Sequence, residues 1–255
     1  MLLSLEVPPI NDLIRWPDIA LKGNKYFAVN KVVLLMWIAV ALVIAFYVIA
    51  GRKQSLVPSG LQNVAEMAVD FVRESVIMQT IGPEGLSWTP LLLTLFSFIF
   101  VCNLFEVVPI AQMPVNARMA LPMLMAILVW FVFNAVGLKH QGLGYFKSVA
   151  IPPGVPIALL PLVALIEIVS TFLVRPLSLA VRLFANMLAG HLILTTFAVM
   201  STALLTSGVF VILTPFTAAL LVALTGFEVL VAFLQAFIFT ILAAVYIGGA
   251  MHPEH

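Results

Sequence analysis

Among the apolar residues that follow Pro156 sit Glu167, Arg175, Arg182, Asn186, His191, Glu228 and Gln235. A charged side chain near the bilayer centre costs about 2.5–3.5 kcal/mol on insertion scales, so such groups persist where they are paired, hydrated or used. Their types suit the movement of a proton. A histidine and a carboxyl titrate in accessible ranges and can relay protons, whereas an arginine keeps its charge throughout. In such a scheme Arg182 is the fixed charge, and the others line a wet path.

The spacing carries more than the residue types. If the chain turns at Thr206-Ser207-Gly208, the flanking helices run antiparallel and residues of equal depth share a midpoint near the turn. The midpoint of Arg182 and Gln235 falls between Gly208 and Val209, and that of His191 and Glu228 between Val209 and Phe210. Both pairs are thus level across one hairpin, with Asn186 one helical turn nearer the bend than Arg182. Glu167, fifteen residues before Arg182, lies about 22 Å beyond it along a helix axis. Ser178, Ala185 and Ala189 flank Arg182 at −4, +3 and +7, a face of small side chains that lets another helix approach closely. An exposed guanidinium on such a face suits transient attraction to a carboxylate on a passing partner.

Each residue also has a plainer reading. Arg175, beside Pro176, fits a snorkelling or structural role. Asn186 and Gln235 could serve as interhelical hydrogen-bond glue, and His191 alone could be a core histidine. Glu106 stands at the end of an apolar run and reads as interfacial, so His191 and Glu228 are expected to matter more to proton flux. A structural ion pair between Arg182 and Glu228 needs the two to meet, yet the hairpin spacing separates them by about 10 Å along the axis.

The elements that position these residues must lie in a membrane. Of 255 residues, 63% are hydrophobic and 9% charged, and the mean hydropathy is +1.18. Soluble domains average about 45–50% apolar and about 25% charged residues, so this chain could not cover a water-facing surface. A net charge of +1 offers no basic face for nucleic acid. The lone Cys102 lies in an apolar run and reads as packing. The sequence has no P-loop, dinucleotide fingerprint or metal-ligand cluster, so neither a cofactor nor a metal is expected. Any nucleotide chemistry belongs to another chain.

Three regions emerge from the patterning: a polar tail over 1–31, a region of three spans over 32–153, and an apolar hairpin over 154–255 that carries the polar residues. The tail has no long apolar core and does not read as a cleavable signal. Spans of about 20 apolar residues are expected from about Val32 to Ala50, Trp88 to Val108 and Met119 to Leu138. Between the first two, Pro58–Gln79 reads as an amphipathic helix lying in the interface near 59–79. Ser59 and Gln62 there have capping-box spacing; Leu61, Val64, Ala68, Phe71 and Val72 share one face, and Gln62, Glu66, Asp70, Arg73 and Glu74 the other. The stretch from Pro156 to Thr206 is about 75 Å long if wholly helical. Either it is one long tilted helix, or it is two spans joined near Arg175-Pro176, where the pre-proline bias favours a break. Counting basic residues on the two sides gives a tie and leaves orientation open.

The run Arg175-Pro-Leu-Ser-Leu-Ala-Val-Arg182-Leu-Phe-Ala-Asn186-Met-Leu-Ala-Gly-His191 resembles the signature of subunit a of F-type ATP synthases. Leu234-Gln235-Ala-Phe-Ile-Phe239, with Glu228 seven residues before Gln235, matches that family's last-helix motif. The match covers the last hundred residues strongly, and the preceding span arrangement more loosely.

The resemblance implies an all-α integral membrane fold: five transmembrane helices, one interfacial amphipathic helix, and the last two helices as a long, strongly tilted hairpin. It implies a proton-translocating stator subunit beside a ring of c subunits, with a b-subunit peripheral stalk, the rest of the F1Fo complex and membrane lipid as partners. Two offset half-channels meet the ring, and Arg182 stands between them and interacts with the ring carboxylate. Asn186, His191, Glu228 and Gln235 then belong to the external half-channel. Glu167 is near an acidic position of the internal one, although its alignment there is loose. Some family members exchange the histidine and the acid at the positions of His191 and Glu228. No catalytic chemistry is expected in this chain itself. The resemblance places the N-terminus outside and the C-terminus in the cytoplasm, in a bacterial plasma membrane. The competing reading, a secondary ion-coupled transporter, calls for repeated halves with matching interrupted spans, and no such repeat is visible. Bis-histidine haem ligation is excluded because His191 is the only histidine within a span.

Overall fold

The computed structural model describes residues 30–251 except 53–54, 56, 109–110, 112, 114, 143, 152–155, 157–158 and 206–207. The tail up to residue 29 and the Thr206-Ser207 part of the expected turn lie outside the described residues. The described elements are all helical: α1 (Lys31–Ala50), α2 (Leu61–Phe71), α3 (Thr89–Leu104), α4 (Ala120–Gln141), α5 (Gly144–Ala150), α6 (Leu160–Val169), α7 (Arg175–Leu205) and α8 (Thr214–Met251). Five helical runs are long and apolar enough to cross a membrane: Lys31–Ala50, Pro83–Leu104, Ala120–Gln141, Leu160–Leu205 and Val211–Met251.

Local chemistry shifts several boundaries. α3 ends at Leu104, short of the expected Val108. Its last turn tightens, with the Glu106 and Val107 amides donating to the Asn103 and Leu104 carbonyls at 3.1 Å. Such three-residue bonds close a helix end by satisfying carbonyls that lack a partner further on. Glu106, just past this end, is buried at 5% exposure.

The expected capping box does not form. The N-cap of α2 is Gly60, at φ 58°, and no side chain caps the helix. Gln62 turns instead to the chain before the helix: its Oε1 accepts from the Ser55 amide at 3.2 Å and its Nε2 donates to the Ser55 carbonyl at 3.1 Å. Ala65, Val72 and Val76 are buried, while Leu61 and Val64 are 53% and 47% exposed. A π turn over Val72–Ile77, in which the Met78 amide donates to the Arg73 carbonyl, inserts an extra residue into that turn and shifts the helical phase beyond it.

From Leu160 to Leu205 the chain is one helical run, which decides for a single long helix over two joined spans. Pro176 does not break it. A proline removes one amide donor and crowds the carbonyl four residues back. Here that carbonyl belongs to Phe172, inside a second π turn at Ser170–Val174, where the Arg175 amide donates to the Ser170 carbonyl five residues back. The wider turn makes room for the ring.

The chain forms two compact units. The first comprises the described residues of Met1–Leu42, Phe98–Arg118 and Phe184–Gln235. Its interior includes Ile99, Cys102, Met113, Met187 and Ala232. The second comprises those of Val43–Ser97, Met119–Leu183 and Ala236–His255, and is built around Leu92, Phe133, Leu183, Phe239 and Ile247. Two close approaches in the second unit require glycine. A Cβ at Gly137 of α4 would collide with the Tyr145 ring of α5, and one at Gly248 of α8 would lie 3.1 Å from the Thr80 carbonyl.

Candidate functional site

Within the first unit, α7 and α8 bring polar side chains together, from Asn186, which is exposed, to Glu228 and Gln235, which are buried. Asn186 Nδ2 donates to Gln235 Oε1 at 2.7 Å. Gln235 is 2% exposed, and its Nε2 is buried without a hydrogen-bond partner among the described residues. Two turns before Gln235 on α8, the Glu228 carboxyl rests on Gly190 of α7. A Cβ added there would stand 2.6 Å from both carboxyl oxygens. His191, the next residue, is half-buried. Glu228 is 7% exposed, and its Oε2 is also buried without a partner among the described residues.

Glu106 extends this cluster from the tight turn that follows α3. It lies within electrostatic reach of Glu228, and its Oε1 is a third buried atom without a hydrogen-bond partner among the described residues. Beside it, Asn116 Nδ2 donates to Asn103 Oδ1 at 2.6 Å, and Asn103 Nδ2 reaches the Ala232 carbonyl of α8 at 3.5 Å. Sequence reasoning missed Asn103 and Asn116 and did not bring Glu106 together with Glu228. The available signal was the three-residue spacing of Asn103 and Glu106, which puts both on one side of a helix end.

The second unit holds Arg182 and Glu167. Arg182 lies on α7 with its side chain exposed, and no hydrogen bond or ion pair engages it among the described residues. Ser178, Ala185 and Ala189, along the same stripe of α7, are exposed too. The buried side of that helix carries Leu179, Leu183 and Met187, about 60–140° around from Arg182 at 100° per residue. Glu167 is half-buried near the end of α6. Arg175 makes a structural contact: its guanidinium lies 5.4 Å from the centroid of the Tyr246 ring.

Chemically, the first unit offers two carboxyl groups, an imidazole and several amides, with buried polar atoms that still have hydrogen-bonding capacity. Such groups can accept, hold and release protons. Arg182 cannot join that exchange, since an arginine keeps its charge at any physiological pH. It can only attract an anion brought to its exposed face.

The profile of the ATP synthase A chain family matches residues 33–248. The ATP synthase subunit a of Frankia alni is 43% identical over 245 residues, which cover 94% of this chain and 83% of that one. That of Rhodococcus erythropolis is 40% identical over 255 residues, covering 98% and 92%. The subunit a of a Methylobacterium species is 37% identical over 255 residues, covering 99% and 100%.

Proposed function

This chain belongs to the ATP synthase A chain family, and on that premise we propose that it is the proton-translocating stator subunit of an F-type ATP synthase. Two offset half-channels run against a ring of c subunits, and Arg182 separates them. A proton entering from outside passes along His191, Glu228, Asn186 and Gln235, with Glu106 beside Glu228, and protonates a ring carboxyl. After nearly a full turn of the ring it leaves by the internal half-channel, to which Glu167 belongs. Arg182 attracts each deprotonated ring carboxylate and blocks direct passage between the two routes.

The observation that carries this reading is the placement of Arg182: an exposed guanidinium on a stripe of small, exposed side chains, on the same helix as the Asn186–Gln235 hydrogen bond. The family supports further proposals. The run Leu160–Leu205 has 46 residues, or about 69 Å of helix against about 30 Å of hydrocarbon, so it and α8 form a strongly tilted hairpin along the ring. α2 lies in the interface, with Leu61, Val64 and Met67, all exposed, set into lipid. The N-terminus is outside and the C-terminus is in the cytoplasm of a bacterial plasma membrane. A b-subunit stalk holds the chain against rotation.

Cysteine cross-linking tests the ring-facing surface. In the assembled complex, Ala185→Cys and Ala189→Cys should form disulfides with a cysteine on the carboxylate-bearing helix of the ring subunit, whereas Leu183→Cys and Met187→Cys should not. Equal yields from both faces, or none from the exposed one, would remove the basis for a ring against this stripe.

Gly190 supplies a second test. Gly190→Ala forces the Glu228 carboxyl to move, because the new Cβ would meet it at 2.6 Å. We expect passive proton flux through the complex to fall about tenfold, equivalent to ~1.4 kcal/mol in the barrier, with normal assembly. Unchanged flux in proton-permeability assays would show that the position of Glu228 does not govern the path.

A further inference from the structure

The helix that carries Arg182 has a weak point just before it. A π turn is wider than an α turn, is rare, and is frequently found at functional sites. The turn at Ser170–Val174 ends at Arg175, seven residues before Arg182. If that turn relaxed to an ordinary α turn, one residue would leave it and everything downstream would rotate by about 100°. Such a rotation would give Arg182 the azimuth now held by Val181 or by Leu183.

Aromatic contacts within the second unit hold the turn on two sides. Phe172, inside the turn, meets Trp130 of α4 edge-on at 6.3 Å and stacks on Phe146 of α5 at 6.1 Å. Arg175, the first residue beyond it, lies over the Tyr246 ring of α8 at 5.4 Å. Tyr246 is itself braced against Phe133 of α4, with ring centroids 5.8 Å apart. Tyr145, next to Phe146, is also within reach of this charge: burial pushes its phenol above the ordinary value, and Arg175 draws it the other way. Arg175 and Arg182 are two turns apart and differ in azimuth by only about 20°. A pin at Arg175 therefore acts on the very stripe that presents Arg182.

We propose that Arg175 and Tyr246 are positioning residues for Arg182: their cation–π contact pins α7 just beyond the π turn and so fixes the azimuth at which Arg182 meets the ring. This rests on the role given to Arg182 above. A guanidinium over an aromatic face is suited to the task because the attraction survives small slides across the ring but not loss of the ring or of the charge. Each ring carboxylate that passes Arg182 pulls on this helix in turn, and the pin resists that pull where the backbone is most easily rewound.

The test uses the assembled complex in membrane vesicles, with its amount measured for every variant. Tyr246→Leu and Arg175→Gln should lower ATP synthesis about fivefold and raise passive proton leak, with assembly preserved. Tyr246→Phe and Arg175→Lys keep ring and charge and should stay close to wild type. The double variant should be no worse than either single one, as expected for two halves of one contact. In the Tyr246→Leu background, cross-linking to the ring should move from Ala185→Cys towards Val181→Cys or Leu183→Cys, a shift that a merely stabilising contact would not produce. If Tyr246→Leu does not assemble, the Arg175→Gln and Arg175→Lys pair is read for both coupling and cross-linking. Wild-type coupling in Tyr246→Leu and Arg175→Gln, equal losses in Tyr246→Phe and Tyr246→Leu, or an unmoved cross-link would overturn the pin. Arg182→Ala in the same series separates the two levels: if it is uncoupled while the pin variants are normal, only the pin fails, and if it remains coupled, the role of Arg182 fails first.

Discussion

Arg182→Ala is expected to abolish proton-driven ATP synthesis while leaving the complex assembled. The assembly half of that expectation comes from exposure. Arg182 projects from α7 away from Leu179, Leu183 and Met187, and no described residue pairs with it. Removing it leaves neither a cavity nor an orphaned partner, the usual routes to large destabilisation. The functional half comes from electrostatics. A unit charge about 4 Å from a carboxylate interacts with it by about 4 kcal/mol at an effective dielectric near 20. Losing that attraction raises the cost of keeping a ring carboxylate deprotonated at the interface by about a thousandfold in rate terms. In the proposed arrangement alanine also opens the boundary between the two half-channels, so vesicles carrying the variant should leak protons without rotation. Arg182→Lys keeps the charge but not the planar fork, and should fall between the two. Normal ATP-driven proton pumping by assembled Arg182→Ala complexes would end this account.

The sequence made some of this legible and hid the rest for identifiable reasons. Apolar runs of span length found the first three membrane helices, because bilayer thickness imposes length and hydropathy together; the count of five came from the family resemblance, since the last hundred residues are apolar almost throughout. Equal-depth counting about Gly208 anticipated that α7 and α8 lie side by side, and the structure pairs Asn186 with Gln235 and Gly190 with Glu228. It could not show which of two neighbouring turns meets which, since one turn of offset leaves the pattern unchanged. The nearness of Glu106 to Glu228 was hidden for a different reason. The apolar run continues to Val108, whereas the helix stops at Leu104, and a tight last turn rather than hydropathy sends the carboxyl inward. Neither π turn has a signature in hydrophobic periodicity, because each shifts the phase by a single residue. Arg175 and Tyr246 are far apart in sequence, and neither residue type announces the other. What was legible were the charges that an apolar segment cannot carry without cause; what was not was how each is held.

Glu228→Gln should slow passive proton flux through the complex about tenfold or more, ~1.4 kcal/mol in the limiting step, and by more than any other single change in the external path. Glutamine matches the shape of glutamate and keeps one acceptor oxygen, so the contact with Gly190 survives. What it loses is the capacity to take up and release a proton. Alternative relays are few at this depth: Asn186 and Gln235 can orient a proton-bearing chain but cannot themselves carry charge. His191→Ala should come next, with a smaller loss, because the histidine is half-buried and solvent could partly replace it. Glu106→Gln is expected to have the least effect of the three, yet a measurable one. Its buried carboxyl is within reach of Glu228, and two carboxylates so placed repel when both are charged. Charge on Glu106 therefore changes how readily Glu228 gives up its proton, without standing in the path itself. The double variant Glu106→Gln/Glu228→Gln should accordingly be no slower than Glu228→Gln alone. Flux unaffected by Glu228→Gln would remove the carboxyl from the path. A multiplicative loss in the double variant would instead make Glu106 a relay in its own right, serving a second branch.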